Sequence, residues 1–241
     1  WYQMKLVVQI PCFNEKLLLE KTIASIPKKI PKIDEIVLVL IDDGSTDNSV
    51  QIAKKSGIDH IVRHNKNLGL ARTFMTGINK SLDLKADIIV NIDADNQYNA
   101  KDIGLLINPI IEKNFDIVVG ERPIDKIKTF SFLKKKLQKI GSYFVRKISK
   151  TNIPDTTSGF RAYSREAAKQ LIIFNNYTYT LESIIQAGYK GISITSVKIR
   201  VNDDFRKSKL VKSNLSYIVN SFFIITRIFL AYQPFKFFFT M

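Results

Sequence analysis

A chain of 241 residues that is 45% apolar and 24% charged is long enough to bury a sizeable core and too ordinary in composition to be disordered. Its 37 Lys and Arg against 22 acids leave a net charge of +15 and a pI near 9.7, which suits a polyanionic partner: nucleic acid, anionic lipid or a phosphorylated substrate. Cys12 is the sole cysteine, so an internal disulfide is excluded and a reducing compartment is expected. No leader pattern precedes the first strand, and Met4 reads as a natural initiator behind Trp1 to Gln3.

Taken in order, "KLVVQIP" (5–11) is a short apolar strand stopped by Pro11, and residues 15–27 carry Leu18, Leu19, Ile23 and Ile26 on one helical face. "DEIVLVLIDDGSTD" (34–47) is a strand apolar enough to be covered on both faces, ending in a turn where Ser45, Thr46 or Asp47 can cap the next helix. A third strand is expected at 58–64, a helix from Gly69 to about Leu84, a strand at 86–93, a helix at 100–113 and a strand at 115–122. This alternation implies right-handed βαβ units, a mostly parallel sheet and a nucleotide-binding type of α/β domain.

In such sheets ligands sit beyond the carboxyl ends of the strands. The polar clusters fall there: Asn14-Glu15, Asp42-Asp43, Asp93-Ala-Asp95 and Glu121-Arg122. Any one of them could be a helix cap, but caps do not call for paired acids. Two carboxylates one residue apart repel each other and need a shared positive charge. A hard divalent cation, Mg²⁺ or Mn²⁺, would take Asp93 and Asp95 as oxygen ligands and keep positions for substrate phosphates, with Gln97 able to add a carbonyl.

Together, "VVQIPCFNE", "LVLIDDGSTDNS", "NKNLGLARTFMTGI" and "IDADNQY" resemble the family 2 glycosyltransferases of GT-A fold. "VVGERP", "DTTSGFRAYSREA", "TLESIIQAGYKGISI" and "DDFRKSKLVKS" continue the pattern of the dolichol-phosphate mannosyltransferase-like, polyprenyl-phosphate branch. The resemblance implies a Rossmann-like GT-A domain over 1–210, with a nucleotide-sugar half at 1–122 and an acceptor half at 123–210. It also implies inverting transfer of a sugar from a UDP- or GDP-linked donor. Residue by residue, it puts Pro11, Phe13, Glu15, Asp42, Asp43, Asn67, Leu68, Gly69 and Arg72 at the donor, with Asp43 accepting from the base and Glu15 near the ribose or base. Asp93, Asp95 and Gln97 take the metal and diphosphate. Asp95, Arg206 and Lys209 form the expected catalytic set, the two cations stabilising the departing diphosphate. Arg122, Asp155, Ser158, Arg161 and Glu182 are assigned to the acceptor side.

A hydroxyl acceptor would need a general base, for which Asp155 and Glu182 are the available carboxylates, though both also have structural explanations. A lipid phosphate is already anionic and needs none. Residues 126–150 support the second case, holding nine Lys or Arg and no acid among Phe, Leu, Ile and Val. That is the pattern of a helix on an anionic membrane surface, against the alternative of a solvated basic helix with an ordinary core stripe. Residues 211–241 read as a juxtamembrane amphipathic helix and the start of a membrane segment. Asn220 and Arg227 interrupt the first apolar run, and transmembrane helices are expected beyond Met241.

The expected enzyme is therefore a membrane-associated transferase at the cytoplasmic face, acting on polyprenyl phosphate, with a homo-oligomer left open. A nucleic-acid binder explains the charge but lacks a base-reading module. A nucleotidyltransferase would show a Gly-rich basic loop after the first strand, where this chain has "PCFNE". A catalytically dead scaffold is disfavoured by the intact acids, and a family 2 enzyme acting on a sugar hydroxyl is the closest rival.

Overall fold

The computed structural model describes residues 3–126, 132–174 and 178–202, with 226, 227 and 230. The elements run β1 (Lys5–Cys12), α1 (Leu19–Ser25), β2 (Glu35–Asp42), α2 (Ser49–Lys55), β3 (His60–Arg63), α3 (Leu70–Asp83), β4 (Ile88–Asn91), α4 (Ile103–Lys113), β5 (Ile117–Glu121), α5 (Phe132–Ser149), β6 (Arg161–Ser164), α6 (Arg165–Gln170), α7 (Thr180–Lys190) and β7 (Ile194–Lys198). Every element expected from the sequence between residues 5 and 122 is present; most are shortened at their ends, but β1 runs through Pro11, expected to stop it, to Cys12, which pairs with Asp42 of β2. The first helix shows the largest difference. It begins at Leu19: Asn14 sits at φ 55, and the Glu15 carbonyl is shared between the Leu18 N–H and the Leu19 N–H in the turn that leads into the helix.

One seven-stranded sheet has the order β3-β2-β1-β4-β6-β5-β7. β1, β2, β3 and β4 are parallel, as are β5 and β7, while β6 runs antiparallel to both β4 and β5. The antiparallel strand was not legible in advance: "RAYS" is four residues long with no apolar run. Because β6 lies between β4 and β5, the halves 1–122 and 123–210 share a single sheet.

Both faces of the sheet are covered, which is why β1, β2, β4 and β5 are mostly apolar. Alternation along β1 sends Leu6, Val8 and Ile10 to one face, against Ile103 and Leu106 of α4 and Leu19 and Ile23 of α1. Val7 goes to the other, against Phe74 and Ile78 of α3 and the α7 residues Ile184 and Ile185. α7 can lie directly on the backbone of Ser149 because Gly188 carries no side chain. Among the described residues no helix is long and apolar enough to cross a membrane. The juxtamembrane expectation for 211–241 lies almost entirely outside the described residues, as do Arg206 and Lys209.

Candidate active site

The parallel strands bring their carboxyl ends to one edge, and the turns that follow are laced together before any ligand is considered. Asn14 Oδ1 accepts the backbone N–H groups of Thr46 (2.9 Å) and Asp47 (3.3 Å), while Ser45 and Ser49 hydroxyls accept from Asn14 and Glu15 N–H (2.9 and 2.8 Å). This ties the turn after β1 to the turn after β2. It leaves Pro11 buried at the strand end, Phe13 39% exposed on the rim and Glu15 half-buried behind it.

Asp42 and Asp43 do different work. Asp42 is fully buried, accepts from Ser45 N–H at 3.2 Å and pairs with Arg63 at 3.0 Å, so it shapes the turn. Asp43 reaches across to the start of α3. Its oxygens accept the N–H groups of Leu68 and Gly69, both at 2.9 Å, and meet His64 Nδ1 at 2.8 Å; His64 Nε2 is 3.0 Å from the Thr76 hydroxyl. A carboxylate has about four acceptor positions, so three are used in holding this loop and one remains for a ligand. Gly69 sits at φ 92, ψ 158, a conformation that favours glycine and turns its N–H onto Asp43. Asn67 and Arg72 flank this loop and are exposed.

Asp93 and Asp95 follow β4, both half-buried, with Ala94 buried between them. Burial, then the neighbouring Asp95 and more weakly Glu15, push the Asp93 carboxyl up to about 7, against the pull of Arg122 and Arg161. Asp95 Oδ1 accepts the Gln97 N–H at 3.2 Å, which fixes the loop. The loop is also pinned from the far side: Asn202 N–H donates to the Gln97 carbonyl, its side-chain amide donates to the Asn96 and Tyr98 carbonyls, and Tyr98 bridges Val201. The chain thus leaves for residues 203–210, which carry Arg206 and Lys209, from a point stitched to the acid loop.

Beneath the acids lies a buried polar network that sequence reasoning missed. Gln9 Nε2 donates to Asn91 Oδ1 (2.9 Å), and Asn91 Nδ2 donates to the Gly159 carbonyl (2.9 Å) and to Tyr179 Oη (2.8 Å). Tyr179 in turn donates to the Gly159 carbonyl at 3.0 Å, and Gly159 N–H donates to Tyr98 Oη at 2.9 Å. Gly159 is thereby held so close to Asp93 that a Cβ would lie 2.8 and 3.0 Å from its carboxylate oxygens. The signal was present: Gln9 and Asn91 are polar residues inside strands that are otherwise apolar.

On the acceptor side, Arg122 and Asp155 are both buried and form a two-pronged pair, Nε to Oδ2 at 2.7 Å and Nη2 to Oδ1 at 2.9 Å. Gln138 and Thr157 add further donors to Asp155 Oδ1. Burial alone would raise the Asp155 carboxyl, but the Arg122 guanidinium outweighs it and holds the group below the ordinary carboxylate range. Arg161 is fully buried and spends its guanidinium on the carbonyls of Ser158, Thr180 and Thr156 and the Ser183 hydroxyl. It acts on the acids as a fixed charge under the site rather than as a surface contact. Ser158 is buried with no partner for its hydroxyl among the described residues, and Glu182, also buried, accepts from the Phe174 N–H at 3.0 Å. A cavity of about 590 Å³ opens beside the Arg122–Asp155 pair, lined also by Glu121, Lys139, Arg146 and Lys198; neither Asp93 nor Asp95 reaches it.

Comparison with known proteins gives this arrangement a family. The model for "Glycosyl transferase family 2" matches residues 7–172. The chain is 30% identical over 213 residues to a UDP-N-acetylglucosamine–dolichyl-phosphate N-acetylglucosaminyltransferase of Methanococcus voltae, covering 79% of this chain and 83% of that one. It is 22% identical over 221 residues to a polyprenol monophosphomannose synthase of Mycolicibacterium smegmatis, covering 87% and 82%. Among solved structures, a glucosyl-3-phosphoglycerate synthase of Mycobacterium tuberculosis bound to Mn²⁺, UDP and phosphoglyceric acid superposes with a TM-score of 0.73 at 18% identity, over 95% of this chain and 78% of that one. The strand-end acids, the laced turns and the family match agree, and the chain belongs to glycosyl transferase family 2: it is a glycosyltransferase.

Proposed function

We propose that the protein transfers a sugar, with inversion, from a UDP- or GDP-linked donor to a polyprenyl phosphate at the cytoplasmic membrane face. The observation that carries the acceptor half is the state of the two carboxylates available as general base. Asp155 is locked by Arg122 and held in its charged form, a poor proton acceptor, and Glu182 is buried and bound to the Phe174 backbone. A phosphate acceptor needs neither, since its oxygen is already anionic. The relatives named for dolichyl phosphate and polyprenol monophosphomannose support the same acceptor class.

The acid loop fits a divalent cation on its own chemistry. Asp93 and Asp95 supply two oxygen ligands; burial first and then the neighbouring Asp95 raise the Asp93 carboxyl, and a cation would relieve the part that comes from their repulsion. Among the described residues no group of three or more His, Cys, Asp or Glu could hold a metal ion. A pair of carboxylates that leaves positions for substrate phosphates is what Mg²⁺ or Mn²⁺ takes. Such an ion, once bound, neutralises charge on the diphosphate. The chain's own residues do the rest. The Asn14–Asp47 lacing and the Asp43-held loop orient the nucleotide, and Asp93 and Asp95 face the diphosphate. The acceptor oxygen forms the new bond to the anomeric carbon as the bond to the diphosphate breaks, and nucleoside diphosphate leaves. Arg122 and Arg161 are committed to the fold, so Arg206 and Lys209 are left to meet the departing charge.

The test is sugar transfer from labelled uridine- and guanosine-diphosphate sugars to polyprenyl phosphate in detergent, with and without chelator. Label in the lipid, lost with chelator and in Asp95→Ala, is expected. Metal-dependent donor hydrolysis with no lipid labelled would overturn the acceptor and favour a sugar hydroxyl.

A further inference from the structure

α5 turns a largely polar face inward and large apolar side chains outward. The face it turns to the protein carries Gln138, Ser142, Val145 and Ser149, all at or below 8% exposure, at positions i, i+4, i+7 and i+11. Three of these four are polar, and each is bonded: Gln138 to Asp155 and Thr157, Ser142 to Thr156, Ser149 to the Val145 carbonyl. The face it turns outward carries the large apolar side chains, Ile140 at 43%, Tyr143 at 49% and Phe144 at 55% exposure. Among the described residues the apolar core contribution of α5 is Val145 with the partly buried Ile148, while three large apolar side chains face outward, where the helix of a soluble domain usually carries polar ones. Exposed Lys136 and Lys139 precede the apolar row along the chain and Lys147 and Lys150 follow it, with the Lys147 ammonium 5.8 Å from the centre of the Tyr143 ring.

We infer that this outward face of α5 lies on an anionic lipid surface, with Ile140, Tyr143 and Phe144 in the headgroup–acyl boundary and the lysines at the phosphates. The charge pattern selects this occupant. α5 has six Lys or Arg and no acid, so a second copy of the same face would set lysine against lysine. Bulky apolar side chains among lysines with an aromatic ring at the edge suit the boundary of a bilayer, where apolar area and anionic headgroups are both satisfied. The placement deepens the proposed function, on which it partly rests. Lys139 and Arg146 of the same helix also line the cavity beside Arg122, so the surface that meets the bilayer borders a cavity edged with cations.

The experiment needs neither donor nor acceptor, so it can fail while the transfer reaction stands, and the converse. Residues 211–241 are themselves rich in apolar side chains, so the readout has to be local to α5. Cys12 is 3% exposed and its thiol is pushed up to about 12, first by burial, which leaves an introduced surface cysteine as the reactive one. An environment-sensitive fluorophore is placed at Phe144→Cys, and in a second sample at Lys54→Cys on exposed α2, in the full chain. Vesicles of phosphatidylcholine with about 30% phosphatidylserine should shift the probe at 144 to the blue and bring it within reach of a lipid-borne quencher. The probe at 54 should remain in water. Lys136→Glu with Lys147→Glu should weaken the response at least tenfold, on the order of fivefold per lysine. A probe at 144 that stays in water while the protein sediments with vesicles overturns the inference. So does a blue shift that grows with protein concentration in the absence of lipid, which would mark a protein partner instead.

Discussion

Replacing Gly159 with alanine tests whether the backbone under the acid loop sets the aim of Asp93. The added Cβ would stand 2.8 Å from Asp93 Oδ2, 3.0 Å from Oδ1 and 3.1 Å from the Tyr179 hydroxyl. Carbon–oxygen pairs at rest sit a few tenths of an ångström further apart, so something must give by roughly 0.5 Å. Gly159 cannot retreat cheaply, because its N–H is held by Tyr98 and its carbonyl by Asn91 and Tyr179. The flexible partner is the Asp93 carboxylate. Overpacking of this size costs about 1–3 kcal/mol of stability, and disturbing the support of a metal ligand costs about 10–100-fold in metal affinity. Mn²⁺ binding followed by electron paramagnetic resonance, with saturating nucleoside diphosphate, should show that loss in Gly159→Ala, and excess Mn²⁺ should restore part of the turnover. Gly104→Ala, whose Cβ meets nothing within 4 Å inside α4, is the control and should leave both quantities unchanged. Wild-type Mn²⁺ affinity in Gly159→Ala would refute the reasoning.

Two further substitutions separate framework from ligand contact. Asp155→Asn leaves the buried Arg122 guanidinium without its counter-charge, and urea unfolding should show a loss of about 3–5 kcal/mol at pH 7. The folded Asp155 lies below its unfolded value, so the stability it provides is present above about pH 4 and is lost as pH falls through the folded value; the gap between wild type and Asp155→Asn should close there. Arg161→Lys keeps the charge but cannot reach four acceptors spread over Thr156, Ser158, Thr180 and Ser183. Thermal melting should fall by several degrees, with nucleotide affinity in the folded fraction nearly unchanged; a normal melt with lost activity would assign Arg161 to substrate instead.

What the sequence made legible follows from what each pattern depends on. The parallel half of the sheet was readable because strands buried on both faces must be apolar, and "IVLVLI" or "IIVN" has few other uses. The acid clusters were readable because their position at strand ends is fixed by those strands. Asp42 and Asp43 were read together, however, and only the fold divides them: a one-residue step turns Asp42 toward Arg63 and Asp43 toward Leu68 and Gly69. The Arg122–Asp155 pair joins residues 33 apart and the Gln9–Asn91 bond residues 82 apart, distances over which no local pattern carries pairing. α5 was readable as basic and amphipathic, but which face goes inward depends on the polar loop 155–157 it packs against, and that was not in the helix.

The acid pair also puts function in opposition to stability. An unfolded aspartate titrates near 3.9, whereas burial and Asp95 hold the folded Asp93 at about 7. With the folded value raised, the penalty is absent below the unfolded value, grows as pH rises from about 4, and is complete above 7. Converted at 1.36 kcal/mol per unit, its ceiling is about 4 kcal/mol, and solvent at this half-buried site trims it. Asp93→Asn removes the charge and keeps the shape. In chelator at pH 7.5 it should therefore unfold at higher urea than wild type, by about 1–3 kcal/mol, and the difference should vanish near pH 4. Mn²⁺ with nucleoside diphosphate should stabilise the wild type and leave the variant unmoved, because the cation relieves the repulsion that the variant lacks. An Asp93→Asn protein less stable than wild type in chelator at pH 7.5 would mean that the carboxylate is held by the fold for its own sake, and the case for a cation between Asp93 and Asp95 would lose its electrostatic ground.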